Sequence, residues 1–229
     1  MIEEPPVLKV RRNFQRPSAD QIAALSGTPT GFIADAMDGR GALGPEIQPV
    51  DPDNASFCGA ALTCHAGPGD NLAVLAAIAE AQPGDVIVSA SDGYLMTAVI
   101  GDRLTGMARN KGAVAMIGDG CVRDVAGIKA NGLPCFAAGT TPNSPAFSGP
   151  GTVGLPITLA GESVHSGDLV IGDADGIVIV PFGQIDDVIG RLAAIRRLEE
   201  ELDAKVAAGL AVPDFVSELM ASDKVQVVD

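Results

Sequence analysis

Tryptophan is absent from this chain, tyrosine occurs once, and aromatic residues make up only 3% of its 229 positions. A core without large rings has to be filled by Ala, Val, Ile and Leu, and the 47% hydrophobic content suffices for one good core. Histidine is equally scarce, with two in the chain, and the four cysteines, Cys58, Cys64, Cys121 and Cys135, form no C-x-x-C pair. That argues against a zinc cluster. The thiols are expected to be reduced and mostly buried. Long apolar runs are missing too: no stretch of about 18 uninterrupted apolar residues exists, so no membrane span is expected. The opening Met1-Ile2-Glu3-Glu4-Pro5-Pro6 is acidic and proline-bearing, unlike a secretory leader, and a cytoplasmic location is expected.

Positive charge is in short supply. Fifteen Lys and Arg face 29 Asp and Glu, for a net charge of −14. Such a surface repels phosphate backbones, so direct nucleic-acid binding is not expected. It also requires any site for an anionic substrate to be locally positive, through a few arginines or a metal.

What is present is an alternation of helix and strand signals. Residues 1–17 read as an extended N-terminal arm, broken by Pro5, Pro6 and Pro17 and kept soluble by Lys9, Arg11, Arg12 and Arg16. Ser18-Ala19-Asp20-Gln21 has the spacing of a capping box. A second helix is expected over Thr28–Met37, then a β-like stretch over Ile47–Ala66. Helices follow at Asp70–Ala81, Tyr94–Asn110 and Val122–Asn131. Buried strands are expected at Val86–Val88 and Ala113–Ile117, and from Leu133 to Ala137. These strands lack polar alternation, as strands covered on both faces do. From Gly151 to Pro181 the texture is β: Leu155–Leu159, Leu169–Ile171 and Ile177–Val180, separated by Gly-Asp and Asp-Gly turns. Gly183–Ala208 reads as one long charged amphipathic helix, and a short helix near Asp214–Ala221 closes the chain. The division expected is an arm at 1–17, an α/β domain at 18–182 and a C-terminal helical segment at 183–229. Two readings of that segment stand: a solvated face with i,i+4 ion pairs, or a surface that packs on a neighbouring subunit.

Several motifs compete for chemistry. Gly39-Arg40-Gly41-Ala42-Leu43-Gly44 spells G-x-G-x-x-G, but a helix precedes it and Pro45 follows, the wrong context for a dinucleotide site. It is read as a loop. Ser89–Met96 is read as joining a strand to a helix, where unpaired N–H groups hold carboxylates, or as an ordinary turn. Asp102 sits among Val99, Ile100 and Leu104, either solvated or half-buried and in need of a partner. In Gly118-Asp119-Gly120-Cys121-Val122-Arg123-Asp124 the glycines allow close backbone approach. Asp124 there suits a helix dipole, or a hard cation that keeps its waters for substrate oxygens. Arg123 offers a planar fork for a carboxylate. Asp119 is a supporting acid or a turn residue. His65 and His165 are isolated in β-like segments and read as structural. Neither Lys111 nor Lys129 has the apolar setting a Schiff-base lysine needs.

Asp102, twenty intervening residues and Arg123-Asp124 form a spaced set. With Ala34-Asp35-Ala36, Gly44-Pro45-Glu46-Ile47, Pro83–Val88, Gly118-Asp119-Gly120 and Gly167-Asp168, it resembles the RraA-like family over residues 20 to 208. That family includes metal-dependent 4-hydroxy-4-methyl-2-oxoglutarate / 4-carboxy-4-hydroxy-2-oxoadipate aldolases. The resemblance implies an α/β fold, a swivelling β/α domain with a β-rich second half and a projecting C-terminal helix, assembled as trimers or hexamers with sites between subunits. It implies Mg²⁺ or Mn²⁺ bound by Asp124 and waters, and Arg123 with the backbone N–H groups of Gly93, Tyr94, Leu95 and Met96 holding a pyruvate unit. Asp102 would position a proton-shuttling water. Glu199 of a neighbouring subunit, with Glu200 and Glu201 as rivals, would reach the metal through water. Phe147 lies where some aldolases carry a basic residue for the distal carboxylate. The activity implied is retro-aldol cleavage of a 4-hydroxy-2-oxo acid, or decarboxylation of oxaloacetate, through a stabilised pyruvate enolate. A second class stays open: some relatives are non-catalytic regulators that bind an RNA-degrading enzyme. A methyltransferase reading finds no nucleoside-binding loop.

Overall fold

A computed structural model describes residues 6–228; the first five residues of the expected arm lie outside it. In chain order it contains β1 (Leu8–Val10), α1 (Ala19–Leu25), α2 (Thr30–Ala36), β2 (Gln48–Pro49), β3 (Phe57–His65), α3 (Leu72–Glu80), β4 (Asp85–Ala90), β5 (Ala98–Ile100) and α4 (Asp102–Asn110). There follow β6 (Ala115–Gly118), β7 (Cys121–Val122), α5 (Val125–Asn131), β8 (Cys135–Ala137) and β9 (Gly139–Thr140). The last third holds β10 (Gly151–Val153), β11 (Ile157–Leu159), β12 (Glu162–Val164), β13 (Leu169–Asp173), β14 (Gly176–Val180), α6 (Ile185–Ala207) and α7 (Asp214–Met220).

The centre is a parallel run, β3-β4-β6-β8, flanked by antiparallel neighbours. β4 is buried at every position, and so is β6. Alternate side chains feed two cores: Leu62, Ile87 and Met116 on one face, Ala61, Val86, Val88 and Ile117 on the other. This is the reason the strand runs are apolar throughout. A third core lies between α1, α2 and α6 and the β13–β14 hairpin, around Leu25, Ile33, Val180 and Leu192. The capping box forms as its spacing predicts: Ser18 Oγ accepts from the Gln21 N–H, and the Gln21 side chain accepts from the Ser18 N–H.

The arm is extended but not free. β1 adds to β10 as a parallel edge strand. Arg12 pairs with Glu80, and Arg16 pairs with the buried Asp85 at 2.9 Å. The half-exposed second part of α6 leaves the core behind: Leu198, Leu202 and Val206 are exposed, as are Phe215 and Met220 on α7.

Two expectations are overturned. Tyr94–Asn110 is not a single helix: residues 94–97 are loop, 98–100 are β5, and the helix begins only at Asp102. The β-branched Val99 and Ile100 are fully buried in a small parallel sheet, β5-β7-β9, and Gly101 is extended at φ −147°. Likewise α5 begins at Val125 rather than Val122, because Cys121–Val122 is taken by β7.

Candidate active site

The small sheet is what assembles the chemistry. β5 runs straight into α4 and β7 runs into α5. The two strands are parallel, with Ile100 opposite Val122, and the Arg123 N–H donates to the Ile100 carbonyl at 3.1 Å. That register has the same sequence offset that separates Asp102 from Asp124. The Asp-to-Arg-Asp spacing is therefore the stagger of two neighbouring strand ends, and it brings both acids to one mouth.

Asp102, Arg123 and Asp124 line a single cavity of about 50 Å³, with Asn71, Gly101, Arg103, Leu104 and Pro145 among the other walls. Arg123 is held from two sides. Its Nε lies 3.3 Å from Asp124 Oδ2, and its Nη1 donates to Ser144 Oγ at 2.5 Å. Asp124 occupies the N-cap position of α5 but makes no capping hydrogen bond. Its backbone is left-handed at φ 57°, a conformation costing about 1 kcal/mol that Asp tolerates better than most residues. The carboxylate makes no capping hydrogen bond and is turned toward Arg123 instead. Asp102 packs against Gly127 of α5, so closely that a Cβ there would lie 2.6 Å from Asp102 Cβ.

The first N–H groups of α4, at Asp102 and Arg103, have no capping side chain. Both residues lie on the cavity wall beside Arg123. The Gly93–Met96 loop is built otherwise. The Gly93 N–H donates to Asp119 Oδ2 at 3.0 Å and the Tyr94 N–H to the Ser91 carbonyl at 3.1 Å. Gly93 and Leu95 face a different concavity, with Glu46 and Asp92. Asp119 is a turn residue: its carboxylate also accepts from the Ser91 N–H and Oγ–H, fastening that loop. Glu199 is half-buried on α6 and does not line its own chain's cavity. Phe147 is 73% exposed. Sequence reasoning missed Asn71 and Arg103.

The remaining motifs go elsewhere. The Gly39–Gly44 loop packs Gly41 against the Ile179 carbonyl. His65 pairs with Asp92 at 2.9 Å on the surface. Burial pushes the Cys64 and Cys135 thiols up to about 12, so neither is a nucleophile at neutral pH. A larger concavity of about 640 Å³ lies beneath Arg11, Phe14 and His165 but contains none of the paired acids.

No group of three or more His, Cys, Asp or Glu placed to hold a metal ion occurs among the described residues, so an all-protein metal cage is not formed there. The cavity's anionic ligand groups are the carboxylates of Asp102 and Asp124. That set fits a hard cation retaining most of its waters, such as Mg²⁺ or Mn²⁺, and fits zinc poorly.

Residues 30–179 match the model of the RraA-like family, described as Aldolase/RraA. The chain belongs to the RraA-like family. A protein of Halalkalibacterium halodurans named "Putative 4-hydroxy-4-methyl-2-oxoglutarate aldolase" is 40% identical over 170 residues, 74% of this chain and 80% of that one. Among solved structures, Streptomyces coelicolor RraAS2, described as an unusual member of the RNase ES inhibitor RraA protein family, superposes with a TM-score of 0.75. It is 26% identical, covering 83% of this chain and 99% of its own. The RNA-processing inhibitor RraA from Thermus thermophilis gives 0.62 at 27% identity, over 67% of this chain and 93% of that one. These RraA-like relatives share the mixed α/β architecture.

The Asp102–Gly127 contact makes a specific prediction. Gly127→Ala forces α4 and α5 apart or turns Asp102 aside. It should cost about 1–2 kcal/mol of stability, overpacking being partly offset by better helix propensity. The same displacement should lower turnover about 100-fold. Thermal unfolding and steady-state kinetics on the same preparation separate the two effects.

Proposed function

We propose that this chain is a class II, divalent-metal-dependent pyruvate aldolase. It cleaves a 4-hydroxy-2-oxo acid to pyruvate and a second oxo acid, and it decarboxylates oxaloacetate at the same site. The observation that carries this reading is the convergence of Asp102, Arg123 and Asp124 on one cavity whose described lining includes no lysine. An aldolase without a Schiff-base lysine must stabilise its enolate electrostatically. The aldolase name of the Halalkalibacterium relative supports the same reading.

In the retro-aldol direction the C4 hydroxyl loses its proton, the C3–C4 bond breaks, and C4 becomes a carbonyl. The bonding pair passes into C2–C3 as an enolate, which takes a proton at C3 to give pyruvate. With oxaloacetate the same bond breaks, carbon dioxide leaves, and the same enolate results. Arg123, fixed by Asp124 and Ser144, donates to the carboxylate and enolate oxygen of the pyruvate unit. The α4 N–H groups of Asp102 and Arg103 take the other carboxylate oxygen. Asp102 holds the water that carries protons. Asp124 would hold the cation, Mg²⁺ or Mn²⁺, which when bound supplies Lewis acidity toward the enolate oxygen. Arg103 and Arg123 balance Asp102 and Asp124 in the cavity, and the cation would add the positive charge that an anion site in a −14 chain needs.

A neighbouring copy completes the site in this reading, as a homotrimer or hexamer. Leu198, Leu202 and Val206 repeat at helical spacing on the exposed part of α6, and docking that face on a second copy brings Glu199 toward the partner's cavity. Truncation after Arg197 leaves the chain's own core intact, since Leu192 and Ile195 remain. It should give a smaller assembly by light scattering and at least a tenfold loss of turnover. A full-length monomer with full activity refutes the arrangement. The cytoplasmic location is part of the same proposal; no described helix is long and apolar enough to cross a membrane.

The test is a coupled pyruvate-release assay on 4-hydroxy-4-methyl-2-oxoglutarate and on oxaloacetate with Mg²⁺ present. Turnover of neither, together with capture of an RNA-degrading endonuclease, would favour the regulator reading suggested by the names of the RraA structures.

A further inference from the structure

At about 50 Å³ the cavity of Asp102, Arg123 and Asp124 is too small for a whole six-carbon acid. The pyruvate end of such a substrate enters it, and the far end lies across the mouth. A hydroxy acid that yields a second oxo acid carries a second carboxylate at that far end, and the charge needs a partner. The walls offer few. The strand wall, residues 98–100, is apolar and buried, and Asn71 is buried and uncharged. Pro145 leads on to Phe147, which is exposed and apolar. Asp102 and Asp124 repel an anion, and Arg123 is already tied to Asp124 and Ser144. Arg103 is left.

Its orientation follows from the start of α4. Asp102 packs against Gly127, and Leu104 packs on the core. Thr105 is fully buried, with its hydroxyl donating to the Asp102 carbonyl at 2.9 Å. These three side chains face the protein. At about 100° per residue, Arg103 faces solvent, and Met107 one turn on is exposed on the same side. Other arginines have carboxylate partners: Arg12 has Glu80, Arg16 has Asp85 and Arg191 has Asp38. Arg103 has none among the described residues, in a chain with 29 acids.

We propose that Arg103 is a specificity-determining residue: its guanidinium receives the distal carboxylate of the substrate and selects dicarboxylic hydroxy acids over monocarboxylic ones. The substrate so named rests on the aldolase reading given under Proposed function. Charge agrees with it. Arg103 and Arg123 cancel Asp102 and Asp124 in the cavity. A divalent cation would add two positive charges, which a dianion neutralises and a monoanion does not. The planar fork matches a carboxylate, and its exposed place at the mouth lets it close on one without repacking the core.

The experiment measures binding as well as turnover. 2-Oxoglutarate has the main chain and distal carboxylate of the expected substrate but no C4 hydroxyl, so it binds without aldol cleavage. 2-Oxopentanoate has the same main chain and a single carboxylate. Calorimetry with Mg²⁺ present should find 2-oxoglutarate bound about tenfold or more tighter by wild type. Arg103→Met keeps the stem and loses the charge, and should bring the two acids within about threefold of each other. In kinetics, the preference in kcat/KM for 4-hydroxy-4-methyl-2-oxoglutarate over 4-hydroxy-2-oxopentanoate should fall about tenfold in that variant, mostly through KM, with Arg103→Lys in between. A residue that only held α4 in place would weaken both acids alike and leave the preference unchanged. Wild type that binds both acids equally overturns the proposal, whatever the variant does. So does a variant that keeps the wild-type preference. Tighter binding of 2-oxopentanoate overturns it too, and would assign the far end of the substrate to the apolar side of the mouth at Phe147. A binding preference that Arg103→Met abolishes, in a protein that cleaves neither hydroxy acid, removes the aldolase reading and supports the anchor.

Discussion

Asp124→Ala should lower kcat/KM on 4-hydroxy-4-methyl-2-oxoglutarate by about 1,000-fold or more, the loss expected when several kcal/mol of Lewis-acid stabilisation go. Two things make this the largest effect. Asp124 is the cavity carboxylate freed from capping, so in this reading the cation loses its one direct protein ligand. Its carboxylate also steadies Arg123 at 3.3 Å, so the substrate's anchor loosens with it. The fold should survive. The side chain supports no hydrogen bond within α5, and Ala removes only a left-handed Asp, though Ala tolerates φ 57° less well. A melting temperature within a few degrees of wild type, with turnover gone, is the expected pair of results. Excess Mg²⁺ should not restore the variant, whereas it should restore wild type after chelation.

Arg123→Ala comes second, with an expected loss of about 100- to 1,000-fold, the range for removing a donor aimed at developing charge. The loss should appear in kcat as well as KM, because the guanidinium meets both the carboxylate of bound substrate and the enolate oxygen formed from it. Arg123→Lys should recover little. Ammonium cannot reach Ser144, Asp124 and a planar carboxylate at once, as the fork does. A Lys variant with near wild-type kcat would show that only charge matters and that the fork is incidental.

The sequence was legible where a signal is local or repeated. Ser18 and Gln21 announced a helix start because capping chemistry is complete within four residues. Val86–Val88 and Ala113–Ile117 announced buried strands because both faces of β4 and β6 meet apolar cores. The β5-β7-β9 sheet escaped because strands of two or three residues are shorter than any periodicity can register. Its absence from the reading is what stretched one helix from Tyr94 to Asn110. Gly101 before Asp102 was the available cue.

Within the site, Asp102, Arg123 and Asp124 could be named from their spacing, yet the reason for that spacing is tertiary: the stagger of Ile100 against Val122. The left-handed backbone of Asp124 carries no sequence mark. Asn71 was hidden for a different reason. Adjacent Asp70 and Asn71 are both natural caps, and only the folded chain decides which one caps and which turns inward. For Glu199 one chain is not enough, since in this account its partner is the cavity of another copy.

The most direct test follows pyruvate from 4-hydroxy-4-methyl-2-oxoglutarate with the protein first stripped by EDTA and then resupplied with Mg²⁺. The account predicts no cleavage after stripping, recovery on adding Mg²⁺, and about two pyruvates per acid consumed, from the carbon balance of the cleavage. Cleavage that proceeds undiminished in EDTA would contradict it.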